Sequence, residues 1–207
     1  LRKPIYNAAE PFLSAASDST GENMAIVDSV GTQISLHSTT DGAKLRTISA
    51  PEGVSFLNVA FSANARALWL TDTQGRLFDV DLETADVVER SLVFSQPVST
   101  PTVSADGKFL GLTSLGAQDR TAAVWDLESN TELFRVPQKR PENGGGLLSI
   151  IDFTHDMTAI VKSGGSLSQW DLRTGKKVLP EFPDQPYGIE LVSFAPDRKT
   201  LLLVLAD

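Results

Sequence analysis

The sequence predicts an all-β fold, a succession of four-stranded antiparallel sheets following one another along the chain. Three observations predict it. The segments "TAAVWDLESNTELF" (residues 121–134) and "SLSQWDLRTGKKVL" (166–179) share one design 45 residues apart: a strand-like run closing on Trp-Asp-Leu, a polar turn, and a second strand-like run. A second landmark recurs in "AFSANARALWL", "TVSADGKFLGL", "DFTHDMTAIV" and "SFAPDRKTLLLV", where an apolar residue, a short turn and an apolar strand follow one another. Finally, short strand-like runs joined by tight polar turns are the mark of antiparallel meanders.

The landmarks can be followed along the chain. Counting back from Trp125 and Trp170 places the same strand end at Val80 and at Leu36. Asp-Leu follows in three of the four units, at Asp81-Leu82, Asp126-Leu127 and Asp171-Leu172, while His37 takes the Asp place in the first. A turn comes next in each, at 40–42, 84–85, 130–131 and 174–175. In the second landmark the apolar residue is Phe61, Val103, Phe153 or Phe194, and the turn carries Asn64, Asp106, Asp156 or Asp197 at its third position. Asn and Asp suit such turns because they tolerate left-handed backbone and bond their own main chain. A weaker instance lies around Asp18. The third unit should place its strands near 100–104, 109–113, 122–126 and 132–136. A helix over "FLNVAFSANARALWL" is disfavoured, because the equivalent "TPTVSADGKFLGL" contains Pro and Gly. The units span about 11–49, 56–92, 100–136 and 147–179, with a partial fifth over 191–207, all read as one domain over 1–207.

Four strands in each 40–45 residues, closing on Trp-Asp, resemble the WD40 repeat of β-propellers. The third unit, "QDRTAAVWDLESNTELF", matches best. The resemblance implies that Asp119 lies in the tight turn between second and third strands. There it would join a hydrogen-bond network with Thr113 and Trp125, and Trp125-Asp126 and Trp170-Asp171 would hold the structural positions. The family's Gly-His pair has no counterpart in "LVFSQPVSTP", and Gln74 and Gly164 stand at the Asp119 position in units two and four. Family rings usually have seven blades, which at 45 residues each need roughly 315 residues. With 207 residues, the chain is expected to be a piece of a longer ring; a small closed ring or a ring completed by a second chain are the alternatives.

Composition narrows the function. The net charge of −8 argues against nucleic-acid partners, which need a basic footprint. No apolar run approaches the ~18 residues of a membrane span, so membrane insertion is not expected. The chain has no cysteine, which excludes disulfides and thiolate chemistry and is silent on compartment. Its first residues, "LRKPIYNAAE", lack a signal peptide's apolar stretch, so with no membrane span a cytoplasmic location is expected.

Catalytic and metal chemistry find little foothold, and no cofactor is expected. His37 and His155 fall in different units, too far apart for a shared zinc site. Asp79 and Asp81 alternate along a strand and face the same way, as a cation site, an acid–base pair or a solvated face. "GLTSLG" misses the nucleophile-elbow spacing, and the glycines at 144–146 read as loop. Trp69, Trp125 and Trp170 are assigned to packing.

The distinctive feature is the loop "VPQKRPENGGG" (136–146), which sets Lys139 and Arg140 between two prolines. A second Pro-rich connector, "EFPDQPYG" (181–188), carries Tyr187. Both join a fourth strand to the next first strand, so both should emerge on one face as a candidate partner-binding surface. The expected function is therefore a non-catalytic scaffold for protein or peptide partners, within a larger multidomain chain. The alternative is the propeller part of an enzyme, gating or cofactor-using, with its catalytic residues elsewhere.

Overall fold

The computed structural model describes residues 11–90, 94, 96–116, 119–139, 148–154, 156–163, 166–178, 189–195 and 200–205. Among them there is no helix. The chain divides into two compact units, Leu1–Pro101 and Thr102–Asp207.

The first unit holds two sheets: β1 (Phe12–Ser17), β2 (Asn23–Asp28), β3 (Gln33–Ser38) and β4 (Lys44–Ser49), then β5 (Phe56–Phe61), β6 (Ala67–Asp72), β7 (Leu77–Asp81) and β8 (Val87–Arg90). The second holds β9 (Thr102–Val103), β10 (Phe109–Thr113), β11 (Asp119–Asp126) and β12 (Thr131–Lys139), then β13 (Ser149–Phe153), β14 (Thr158–Ser163), β15 (Ser166–Asp171) and β16 (Lys176–Lys177). A two-stranded sheet of β17 (Ile189–Phe194) and β18 (Leu201–Leu205) follows. In every sheet the strands lie in chain order and pair antiparallel. One end of each four-stranded sheet therefore carries the turns after its first and third strands. The other end carries the turn after the second strand and the exit from the fourth.

Within each unit the two four-stranded sheets share one core. In the first, Ala25, Val27, Ile34, Leu36 and Ile48 pack with Phe56, Val59, Leu68, Leu70, Phe78 and Val80. Arg46 on β4 reaches over to donate to the Leu82 carbonyl at 2.6 Å. In the second, Phe109, Ala122, Val124 and Phe134 pack with Ile150, Phe153, Ala159 and Val161. Gly111 on β10 gives Ile150 of β13 room, since a Cβ there would stand 2.8 Å from the Ile150 side chain. This sandwiching explains why β6 and β10 read as continuous apolar runs. They are buried along nearly their whole length, so neither face needs polar residues. The fourth strands are the most exposed, as in β8.

In the third sheet the structure redraws three strands. β9 is only two residues long, and Pro101 just before it can donate nothing to a ladder. β11 and β12 instead run longer than expected, pairing from Asp126↔Thr131 out to Asp119↔Lys139.

Candidate functional site

Asn64 and Asp106 build the turns after their first strands as predicted, while Asp197 lies outside the described residues. Asn64 Oδ1 accepts from the Ser62 hydroxyl and from the Arg66 N–H, at 2.8 and 3.0 Å. Asp106 Oδ1 accepts in the same way from the Ser104 hydroxyl and the Lys108 N–H, at 2.6 and 3.1 Å. Asp18 takes the role in the first sheet through Thr20, Glu22 and Asn23. The residue after the Asn or Asp adopts left-handed backbone: Ala65, Gly107 and Met157 have φ of 55°, 72° and 59°. For Ala and Met this conformation is strained.

The turns after the third strands explain the Asp-Leu pair. Asp81 Oδ1 accepts from the N–H groups of Glu83 and Thr84, Asp126 from Glu128 and Ser129, and Asp171 from Arg173 and Thr174. The following Leu donates its N–H to the turn beside it, from Leu82 to Arg66 O, Leu127 to Lys108 O and Leu172 to Met157 O. Each sheet thus ties its two turns at that end together.

These bonds correct the register of the first unit. There Thr39 N–H bonds Glu22 O, as Leu172 bonds Met157, so Ser38 stands where Asp171 does. His37, rather than Leu36, holds the Trp position: it pairs with Met24 on β2 as Trp170 pairs with Ala159 on β14. The side chains make parallel contacts. Trp170 Nε1 donates to Ser168 Oγ at 2.9 Å, and His37 Nε2 lies 3.0 Å from Ser35 Oγ. His37 Nδ1 faces the Gly42 carbonyl at 3.3 Å, which requires the proton on that nitrogen. His37 is buried and does a structural Trp's work.

Among the predicted site residues, Thr113 is buried on β10 and its hydroxyl accepts from Ile150 N–H at 3.4 Å. Trp125 is buried. Trp170 is half-buried and stacks on Phe134, 5.4 Å between centroids and 13° from parallel. Trp125 and Trp170 occupy matching places, facing Leu110 and Ala159 across the second strands. Asp119 begins β11, its backbone opposite Lys139, the last residue of β12. Arg140, Tyr187, His155, Gly164 and residues 144–146 lie outside the described residues. Trp69 is buried on β6. Asp79 and Asp81 do not act as a pair: Asp79 takes a two-pronged ion pair from Arg90 at 3.0 and 2.7 Å, and Asp81 caps its turn.

A second set of carboxylates escaped the sequence reading. Asp72, fully buried, closes the turn after β6: its Oδ1 accepts from the N–H groups of Gln74 and Arg76, and its Oδ2 takes the Arg76 Nε at 2.6 Å. The Arg76 guanidinium also lies over the Phe78 ring at 5.4 Å. Asp28 does the same after β2, binding Thr32 through its N–H and its hydroxyl. The signal was present as Asp-x-x-Gly in "DSVGT" and "DTQGR", 44 residues apart. Counting from Trp125 led instead to Gln74.

Among the described residues, side chains of the second unit form a concavity. A cleft of about 290 Å³ opens between the β9–β10 turn and the β13–β14 turn. The buried Phe109, Phe153 and Leu172 form its floor beside the buried Ser104, and Ala105, Asp106, Thr154 and Met157 complete the lining, with Asp106 exposed at the rim. Among the described residues no three of His, Asp and Glu gather as a metal site.

The cap carboxylates make stability depend on pH. Thr84 and Glu83 N–H groups hold Asp81 below the usual carboxylate value of 3.8; the Thr174 N–H does so for Asp171 and the Ala43 N–H for Asp41. At Asp106 burial pushes upward as the largest single effect, but the Ser104 and Lys108 bonds together outweigh it and the net shift is downward. A group depressed in the folded state contributes stability that is complete above its unfolded value and disappears as pH falls through the folded one. Melting temperature should therefore be level above about pH 5 and fall steadily below about pH 4. Asp81→Asn combined with Asp171→Asn should lower the plateau and flatten the acid limb. An unchanged acid limb in that variant would show that these caps do not set it.

No protein-family model matches the chain, and no curated protein matches it. The class that fold and site define is thus an all-β repeat chain, four antiparallel four-stranded sheets with aspartate-capped turns.

Proposed function

We propose that the chain is a WD40-like propeller segment acting as a non-catalytic scaffold, each four-stranded sheet forming one blade and the loops facing protein or peptide partners. One observation carries the reading: the same turn chemistry recurs from sheet to sheet, with Asp72, Asp81, Asp126 and Asp171 engaged by their own turns and Asp79 by Arg90. Such a frame is rigid and varies only in what its loops present. Residues 136–139, expected as loop, belong to β12, so Lys139 ends the long β11–β12 ribbon just before Arg140, and this basic pair on an otherwise acidic chain favours an acidic partner.

The test is capture of cross-linked partners by the full chain, with Lys139→Glu and Arg140→Glu together as the comparison. A discrete partner recovered by the native chain and lost from the double variant supports the scaffold and its loop. Recovery unaltered by the variant removes the loop from the proposal. A determined structure with the sheets not arrayed about a common axis would remove the propeller.

A further inference from the structure

We infer that the cleft between the β9–β10 and β13–β14 turns receives one lysine or arginine side chain of a protein partner. This rests on the partner-binding reading and adds a second surface to it. The cleft lies at the end of the sheets that carries the first-strand turns, whereas the Lys139–Arg140 loop leaves the fourth strand, at the opposite end.

Three observations converge. The first is chemical form. The floor is apolar, from Phe109, Phe153 and Leu172, while the rim holds a carboxylate. Asp106 uses Oδ1 for both of its turn bonds, and among the described residues nothing donates to Oδ2. Burial pushes this carboxyl up, but the turn bonds and the nearby Lys108 charge bring it net below the usual carboxylate range. An apolar floor beneath one anchored anion suits a side chain with a hydrocarbon stem and a cationic tip. Aromatic rings in the floor add attraction for the cation.

The second observation is backbone strain. Met157 lines the cleft at φ 59°, where the equivalent places in the other sheets hold Gly21, Ala65 and Gly107. A long side chain is held in a conformation that favours glycine, and such strain gathers where a side chain is needed for something other than folding. Methionine's flexible thioether adapts to an incoming stem.

The third is charge. The turns at this end of the two sheets carry Asp106, Asp126, Glu128, Asp156 and Asp171 against Lys108, Arg173 and Lys176, on a chain of net charge −8. The excess is negative, complementary to a basic segment and unfavourable to an acidic one.

The experiment titrates the full, isotope-labelled chain with capped Gly-Lys-Gly, its Arg counterpart, and norleucine and Glu controls, following backbone amide shifts. Lys and Arg peptides should move the amides of Lys108, Met157 and Leu172 saturably. Norleucine should bind about five-fold more weakly, the scale of one exposed charged contact. Asp106→Asn keeps Oδ1 for the turn and should show the same loss. Met157→Gly should weaken binding with little change in melting temperature, because the relieved φ offsets the packing that the thioether gives to the core beneath it. Equal binding of norleucine and lysine, undiminished binding by Asp106→Asn, or shifts scattered away from the cleft would overturn the inference. The scaffold proposal is judged separately by partner capture, which needs no peptide binding in this cleft.

Discussion

Gly31→Ala should destabilise the first unit by about 3–5 kcal/mol, while Gly21→Ala should cost only about 1 kcal/mol, although the two glycines have nearly the same backbone. Their φ angles are 75° and 73°. Left-handed backbone penalises any Cβ by a similar amount at both positions. The difference lies in what the Cβ would meet. At Gly21 nothing stands within 4 Å, whereas at Gly31 the Cβ would lie 2.2 Å from the Phe56 carbonyl oxygen and 2.8 Å from its nitrogen. Neither atom can yield cheaply, because Gly31 O accepts the Phe56 N–H at 2.8 Å and that bond starts β5. The second sheet would have to move away from the turn of the first. Gly75→Ala repeats the conflict, with Gln96 O at 2.1 Å. Urea unfolding of the three variants separates the contributions. Equal losses at Gly21 and Gly31 would mean that only the backbone angle matters.

Asp72→Ala is the second large effect, with an expected loss of about 2–4 kcal/mol. The carboxylate is fully buried, so removing it strands two turn N–H groups and leaves Arg76 without its nearest counter-charge. Loss of one member of a fully buried ion pair costs about 3–5 kcal/mol, and the partial exposure of Arg76 lowers that figure. Glu89, 3.6 Å from Arg76 and more exposed, recovers little. Asp72→Asn should fall between, since an amide oxygen still accepts from the turn while the charge is lost. A chemical-denaturation series of native, Asn and Ala proteins checks the order. An Asn variant as unstable as the Ala variant would assign the effect to the arginine pair rather than to the turn.

Both predictions concern the turn after a second strand, which sequence reading passed over. The third sheet, which carries Asp119, lengthens this connection: Ser114 and Thr121 close it, with the Thr121 N–H donating to Ser114 Oγ at 2.8 Å. The place equivalent to Asp119 in the second sheet is therefore Gln74, two residues past Asp72. The first unit misled in a similar way. His37 replaces the indole and Ser38 the aspartate, so neither marker is present and the count from Trp125 falls on the adjacent apolar residue, Leu36. Only the pairing of His37 with Met24 restores the register.

What the sequence determined by itself is local and periodic. Strand and turn alternate at a forty-odd-residue interval, and Asn, Asp or, at Ser38 and Ser114, Ser supplies the side-chain acceptor for a turn's own N–H groups. These choices are made within a few residues of chain, so they can be read along it. Tertiary structure decided what depends on neighbours distant in sequence. It made Gly31 and Gly75 irreplaceable by pressing another backbone against them, buried Asp72, and set Asp106 and Met157 around an apolar floor from two different sheets. A turn's hydrogen bonds are satisfied at short range, whereas the cost of a Cβ, the burial of a carboxylate and the lining of a cleft depend on which surfaces meet.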